Sequence, residues 1–377
     1  MSPFQPFVME RMMSQFEQTV DYNLSESGVH PMTLRELLGD APDLIASFLD
    51  TDLNYPYANG NPDLRQNIAR LYDGATPDNV LVTVGAAEAN YITIRTLLEP
   101  GDEIVVMLPN YMQVWGIAKN HGLQVKTFHL QEDAGWAPDL DELRDQVTPN
   151  TKLIAICNPN NPTGRILTPD EMDAIVAVAD SVGAWILADE VYAGAERLTD
   201  EETPSFFGRY DKVVATGSMS KAYGAPGLRI GWVVAPAGVV DDIWARHEYV
   251  AIAAAKPSNH LAAIALSPEV RPRIIARTRD YIRRGYPILA SWMDAHPGVF
   301  DLTPPQAAAI CFVRYHLDIN STEFVDRLRR EKSVLIVPGD HFGMDHHLRI
   351  SFGLPRDYLL PALDRIHELI EEIAGQA

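Results

Sequence analysis

Cysteine is scarce in this sequence, with only Cys157 and Cys311 among 377 residues. Two thiols are too few for a disulfide framework or for a cysteine-based zinc cluster. We interpret both as ordinary buried thiols and expect no metal site. Because free thiols fit a reducing compartment, we predict a cytoplasmic protein.

Basic side chains are also few: 31 Lys and Arg stand against 51 Asp and Glu, so the formal net charge is -20. A negative field of this size repels nucleic-acid phosphates and anionic lipids. We therefore expect no nucleic-acid and no membrane partner. Any phosphate site must be built locally, from Arg, Lys and backbone N–H groups.

No apolar run reaches the roughly 18 residues that a membrane helix needs. The stretch from Ile104 to Ala118 is shorter and contains Pro109. Near the N-terminus, Glu10 and Arg11 interrupt what would be the apolar core of a signal peptide. We expect neither export nor a membrane anchor.

Short apolar runs alternate with amphipathic stretches between residues 79 and 240. The runs are NVLVTVG, DEIVVMLP, LQVKTFHL, KLIAICNP, AWILADEVY, KVVATGS and IGWVVAP. This pattern is typical of buried, mostly parallel strands in an α/β sheet with helices on both faces. Ligands of such sheets bind beyond the carboxyl ends of the strands.

The C-terminal part has a different pattern, with long helical segments around short strands. The segments are residues 268–292, 321–331 and about 356–374, and the strands are AAICFVRYH, SVLIVPG and HLRISFG. This mixture predicts a smaller α+β domain. We expect a large α/β domain at residues 46–250 and a small domain formed by residues 1–45 and 251–377, with the first 45 residues lining the site.

Lys221 follows the strand-like run KVVATGS, so it should lie at the mouth of the sheet. Desolvation there lowers the pKa of a lysine, and a neutral amine can form an imine with an aldehyde. A lone lysine is otherwise most often a surface residue. Its neighbours suit a phosphate, and they are Ser218, Ser220 and Arg229.

A second phosphate cradle is predicted in VTVGAAEAN, where a strand ends at Gly85 and small residues open a helix. Free N–H groups of Ala86 and Ala87 would point at an anion with the helix dipole behind them.

Asp189 ends the run AWILAD and should be buried, so its carboxylate needs a partner such as a pyridinium nitrogen. A helix cap or a metal pair with Glu190 is the alternative. Tyr192 and Asn161 could donate hydrogen bonds to a phenolic oxygen of a cofactor with such a pyridinium ring. Asn161 could instead donate to a carboxylate. Arg349 lies on an apolar strand and needs an anion, either a substrate α-carboxylate or an internal salt-bridge partner.

Taken together, these residues resemble the fold-type I enzymes that use pyridoxal 5′-phosphate (PLP), specifically the class I/II aminotransferase family. The resemblance covers nearly the whole chain. The matching motifs, in order, are YPYANGNPDLR from Tyr55, VTVGAAEAN, LPNY ending at Tyr111, NPNNPTG, LADEVY, SMSKAYGAPGLRIGW and LRISFG. It implies an α/β fold, with a large PLP-binding domain whose mostly parallel sheet is flanked by helices, and a smaller α+β domain.

The resemblance also implies roles for single residues. Lys221 would hold PLP as a Schiff base and carry the proton between Cα and C4′, and Asp189 would pair with the pyridine nitrogen. Tyr111 would stack on the ring, and Asn161 and Tyr192 would hold its phenolic oxygen. The phosphate would be held by Gly85, Ala86, Ala87, Ser218, Ser220 and Arg229. Arg349 and Asn161 would bind the substrate.

The activity implied is ping-pong transfer of an amino group from an amino acid to a 2-keto acid. In this family the residue matching Tyr55 reaches the phosphate in the other subunit, which implies a homodimer with shared sites. Lys256, in AIAAAKPSN, is predicted either to reach the neighbouring subunit's pocket and favour acidic side chains, or to be a solvated surface lysine.

The N-terminal loop LSESGVHPM, residues 24–32, departs from the Gly-x-Pro-Asp of many members. A similar Ser-Gly-Val-His element occurs in capreomycidine synthase, a relative that cyclises an arginine derivative. Gly28 and His30 are therefore expected beside the substrate, His30 either as a second acid/base or as a plain hydrogen-bonding residue. A PLP-dependent cyclase, lyase or oxidase that uses the same carbanion is the alternative function. A DNA-binding regulator would need an additional basic helix-turn-helix domain.

Overall fold

A computed structural model describes residues 4–375. Its strands are β1 (Tyr22–Asn23), β2 (Val80–Thr83), β3 (Glu103–Leu108), β4 (Gln124–Gln131), β5 (Ala137–Pro138), β6 (Thr151–Cys157), β7 (Trp185–Asp189), β8 (Val213–Ser218), β9 (Gly231–Val234), β10 (Phe300–Leu302), β11 (Ile310–Tyr315), β12 (Val334–Leu335), β13 (Val337–Pro338) and β14 (His347–Ser351).

The α-helices of the same residues connect and cover these strands. They are α1 (Val8–Phe16), α2 (Leu34–Leu38), α3 (Pro42–Leu49), α4 (Pro62–Ala69), α5 (Gly85–Leu97), α6 (Gln113–His121), α7 (Leu140–Gln146), α8 (Pro169–Val182), α9 (Ala237–Val250), α10 (Lys256–Ala265), α11 (Arg271–Asp294), α12 (Ser321–Lys332) and α13 (Arg356–Ala374). No helix in residues 4–375 is long and apolar enough to cross a membrane.

The large sheet has eight strands in the order β2-β9-β8-β7-β6-β3-β4-β5. Strands β8, β7, β6, β3 and β4 are parallel, and β9 runs antiparallel to both of its neighbours. Successive residues of β6, such as Leu153 and Ile154, belong to apolar clusters on opposite faces of the sheet. Burial on both faces explains why these runs are continuously apolar rather than alternating. All seven runs predicted as strands are strands.

The smaller sheet is antiparallel and has the order β10-β11-β14-β13. The N-terminal segment joins this part of the molecule, because β1 pairs in parallel with β12, placing Tyr22 opposite Val334. A large, mostly parallel sheet flanked by helices beside a smaller α+β part confirms the predicted fold class. The domain boundaries at residues 46 and 250 stay a prediction, and residues 1–3 and 376–377 of the proposed small domain lie outside the described residues.

The topology brings the polar ends of three strands together. Because β6, β7 and β8 are parallel, their carboxyl ends lie at one edge of the sheet, with Cys157 paired to Asp189 and Asp189 to Thr216. Helix α5 begins at this edge, at Gly85, whose φ of 75° suits glycine. Predicted site residues follow or end each of these strands.

Candidate active site

A cavity of about 320 Å³ lies at this edge, between the carboxyl ends of the strands and the N-terminal segment. Most of the predicted site residues line it: Ala86, Ala87, Tyr111, Asn161, Asp189, Tyr192, Ser218, Ser220, Lys221, Arg229 and Arg349. These residues are up to 263 positions apart in the chain, so the fold alone brings them together.

Two predicted glycines lie beside the cavity lining. A Cβ on Gly28 would be 3.1 Å from the carbonyl oxygen of Ser220 and 3.7 Å from Cα of Lys221. A Cβ on Gly85 would be 2.5 Å from Nη2 of Arg229. Both glycines therefore allow close approach of the backbone to a predicted site residue.

Lys221 projects into the cavity with a quarter of its side chain exposed, and its Nζ lies 3.7 Å from Oε2 of Glu26. Glu26 belongs to the unusual loop LSESGVHPM. Glu26 was not predicted as a site residue, because nothing in a loop sequence indicates which side chains turn inward.

Asp189 is buried at the end of β7. Its carboxylate accepts hydrogen bonds from Nδ2 of Asn90 at 3.2 Å and from the backbone N–H of Val191 at 3.3 Å. Burial raises its pKa, and these two donors oppose the shift. Asn90 lies on α5 and also accepts from the Thr216 hydroxyl, at 3.1 Å. The sequence analysis included Asn90 in a motif but assigned it no role.

The two cavity tyrosines donate to the N-terminal segment. The hydroxyl of Tyr192 donates to Oγ of Ser27 at 2.8 Å, and that of Tyr111 donates to Oε1 of Glu10 at 2.6 Å. Burial raises the pKa of both hydroxyls well above the usual value. Both tyrosines therefore remain protonated donors near neutral pH.

Helix α1 and the residue before it cover one side of the cavity, with Met9, Glu10 and Met13 from the helix and Phe7 from its N-cap. Residues 1–45 were expected to line the site, but none of these four residues was predicted as part of the lining. An amphipathic helix shows from its sequence that one face is buried, but not which cavity that face covers.

The predicted phosphate cradle combines three elements. Helix α5 has no side-chain cap at its N-terminus, so the N–H groups of its first turn have no side-chain acceptor there. Ser218 ends β8, and Arg229 follows a short helical turn with a φ of 51°. Lining the same cavity, these groups form a strongly anion-attracting corner.

Arg349 is 2% exposed at the centre of β14. Its Nη1 donates to Oδ1 of Asn161 at 3.0 Å and its Nη2 to the carbonyl oxygen of Ser25 at 2.5 Å, while its Nε has no partner. Within residues 4–375 no carboxylate lies within 4.0 Å of the guanidinium, which excludes an internal salt bridge there. A buried cation without an anion is a site for an anionic ligand group.

Three other predicted residues lie away from the cavity lining. His30 is exposed, with its ring 5.9 Å from that of Tyr281, a position that does not favour the acid/base role. Tyr55 is 85% exposed. Lys256 forms an ion pair with Asp52 of the same chain.

Comparison with known proteins agrees with this arrangement. The model of the family described as Aminotransferase class I and II matches residues 23–366. Capreomycidine synthase of Streptomyces vinaceus is 30% identical over 374 residues, which cover 97% of this chain and 93% of that protein.

Two solved structures are similar to this chain over nearly its whole length. A PLP-dependent aminotransferase from Streptococcus suis has a TM-score of 0.92 and 32% identity over 98% of this chain and 99% of its own. The PLP-dependent cyclase OrfR has a TM-score of 0.88 and 25% identity over 99% of this chain and 98% of its own.

Proposed function

The chain belongs to the class I and II aminotransferases, a family of PLP-dependent enzymes, and on that basis we propose that it carries PLP on Lys221 and moves an amino group from an amino acid to a 2-keto acid. One observation carries the proposal: Lys221, Asp189 and Arg349 line one cavity, and Nε of Arg349 has no hydrogen-bond partner. The amine can form an imine with an aldehyde, the buried carboxylate can pair with a pyridine nitrogen, and the buried cation can bind a carboxylate.

The cavity suits PLP by its own chemistry. The uncapped start of α5 lies beside Ser218 and Arg229, as a phosphate requires. Asp189 is buried with only two long hydrogen bonds, so it is available to a protonated ring nitrogen. We propose that the phenolic oxygen lies near Asn161 and Tyr192, and that Tyr111 packs on the ring.

In the proposed mechanism Arg349 binds the substrate α-carboxylate and orients Cα toward Lys221. When bound, PLP would supply an electron-withdrawing ring for the electron pair that remains when Cα loses its proton. Lys221 Nζ carries this proton from Cα to C4′ of the cofactor. Asp189 keeps a proton on the ring nitrogen, and the pocket wall formed by α1 limits the access of water to these steps.

We also propose a homodimer in the cytoplasm. Tyr55 is 85% exposed next to Leu53, which is 86% exposed, and such apolar exposure fits a surface covered by a second subunit. Tyr55 would reach the partner's phosphate site. The two cysteines are buried and free, as expected in a reducing compartment.

A cyclase, lyase or oxidase is the second candidate. It is favoured by the similarity to capreomycidine synthase and OrfR, and by Glu26, a carboxylate 3.7 Å from Lys221 Nζ that could move a second proton.

Single amino acids, followed by single 2-keto acids, test the proposal. The amino acid should bleach the visible absorbance of the bound cofactor, and the keto acid should restore it. Lys221→Ala should lower the rate at least about 100-fold because its amine carries the proton. Lys152→Ala, an exposed lysine on β6, is the matched control. Products without a restored band would favour the second candidate, and near-normal turnover of Lys221→Ala would refute both.

A further inference from the structure

Two carboxylates of the N-terminal segment line the cavity, and a third lies near them. Glu10, on α1, and Glu26, in the loop after β1, both line it. Glu17, just after α1, lies near both: its pKa is raised by burial and by the neighbouring carboxylates of Glu26 and Glu10. Three like charges at one wall are costly unless a cation joins them.

Two cations of the chain lie near this wall: Lys221, and Arg349, whose pKa is lowered by burial and raised by the carboxylates of Glu26 and Glu10. Within residues 4–375 no Lys or Arg nitrogen lies within 4.0 Å of the Glu10 or Glu17 carboxylate, and Glu10 accepts only the neutral hydroxyl of Tyr111. Glu26 has Lys221 at 3.7 Å. In the proposed reaction Lys221 is joined to the cofactor or acts as a neutral base, so it does not balance Glu26.

The rest of the cavity lining indicates which part of a substrate these carboxylates would meet. Arg349, 2% exposed and with an unpartnered Nε, lines the same cavity and suits an α-carboxylate. Apolar side chains of Phe7, Met9 and Met13 lie beside the acidic residues. A substrate whose α-carboxylate is held by Arg349 therefore lies in a cavity that also offers apolar surface and negative charge.

We propose that the amino acid substrate has a side chain ending in a cation, an amine or a guanidinium, which Glu26 and Glu10 bind. This inference rests on the proposed function and names its substrate class. A substrate with an acidic side chain would face the same carboxylates and be repelled. The alternative cation for acidic substrates, Lys256, pairs with Asp52 of its own chain.

The test compares amino acids of similar length in the PLP-loaded enzyme. Lysine and arginine should bleach the cofactor band with a kcat/KM at least about tenfold above that of norleucine, the uncharged counterpart of lysine, and above that of glutamate. Glu26→Gln and Glu10→Gln should each lower the ratio of kcat/KM for lysine to kcat/KM for norleucine about tenfold or more, mainly through the KM for lysine. Glu269→Gln, an exposed carboxylate, should change neither.

Each outcome decides between the two proposals. Equal or better use of norleucine or glutamate by the wild type would overturn the substrate class while leaving aminotransfer intact. An equal loss for lysine and norleucine in both variants would show that these carboxylates serve the chemistry rather than selection. If a variant fails to load PLP, the wild-type profile and the other variant still decide. If no amino acid bleaches the band, the proposed function itself fails.

Discussion

Asp189 is a buried carboxylate whose surroundings favour a cationic partner. It is 9% exposed, its two hydrogen bonds are long, and burial raises its pKa. A group in this situation gains from a cationic partner such as a protonated ring nitrogen.

Asp189→Asn should therefore leave the fold and PLP loading intact but slow the half-reaction by several orders of magnitude, because the ring nitrogen would lose its proton. Stopped-flow absorbance measures this rate. Asp211→Asn, on an exposed residue just before β8, is the control. Unchanged kinetics for Asp189→Asn would remove this residue from the proposed role.

Glu190 is the next residue in the chain after Asp189, and its role differs from that of Asp189. It is buried, and its carboxyl accepts from the N–H of Phe206 at 2.8 Å and the hydroxyl of Ser205 at 2.9 Å. Burial raises its pKa from 4.5 to about 8. The folded protein therefore keeps a proton that the unfolded chain releases above pH 4.5, so this contribution to stability is complete below pH 4.5 and is lost as the pH rises through about 8.

Glu190→Gln removes this titration. The free energy of unfolding of the wild type should fall relative to that of the variant between pH 5 and pH 8.5, by about 2–4 kcal/mol. Urea unfolding at the two pH values measures the difference, and comparison of the two proteins cancels the other titrating groups. Parallel pH profiles would mean that Glu190 is ionised in the folded state.

At the scale of elements, the start of α5 is positioned by its contact with β9. A Cβ on Gly231 would lie 2.3 Å from the carbonyl carbon of Gly85 and 2.4 Å from the backbone nitrogen of Ala86. Only glycine fits there, so strand and helix approach closely enough to set the position of the predicted phosphate cradle.

Gly231→Ala should push α5 away and weaken PLP binding about tenfold or more, because the N–H groups of the first turn would no longer meet the phosphate. Titration of the apoprotein with PLP, followed by absorbance, gives the affinity. Gly238→Ala in α9 is the control, since its Cβ would meet no atom within 4 Å. Equal affinities for both variants would show that this contact does not shape the cradle.

The cavity residues in helix α1 and in the loop after β1 were not predicted from the local sequence. Local sequence predicted that the N-terminal segment packs near the site, and β1 does pair with β12. It did not identify Glu10 or Glu26 as cavity residues, because the orientation of a helix and the direction of a loop side chain depend on contacts with distant parts of the chain.

For the whole molecule, the exposed apolar residues bear on assembly. Leu49, Leu53, Tyr55 and Tyr249 are each more than 70% exposed, in a chain whose net charge of -20 otherwise keeps its copies apart. Their burial between two subunits would offset that repulsion.

Sedimentation should therefore give a mass of twice the 41.9 kDa of the chain. Tyr55→Phe should preserve this mass but weaken PLP binding several-fold, since it removes only the hydroxyl that we propose reaches the partner's phosphate. Tyr57→Phe, on another exposed tyrosine, is the control. A monomer that binds PLP at full strength would contradict the shared-site proposal.

The sequence by itself determined seven of the eight strands of the large sheet, all except the two-residue β5, and the chemical types at their ends. Continuous apolar runs can only be buried strands or helices, and each run was too short for a helix. Since parallel strands align their carboxyl ends, Asn161, Asp189 and Ser218 were predictable neighbours before any coordinates.

The tertiary structure alone decided which polar side chains complete the site and which lie outside it. Asn90 reaches Asp189 from α5, and Glu26 reaches Lys221 from a loop 195 residues earlier in the chain. His30, only four residues after Glu26, lies exposed outside the cavity lining. Local pattern predicts whether a residue is in a helix, strand or loop, but the distance between two remote side chains follows only from how those elements pack.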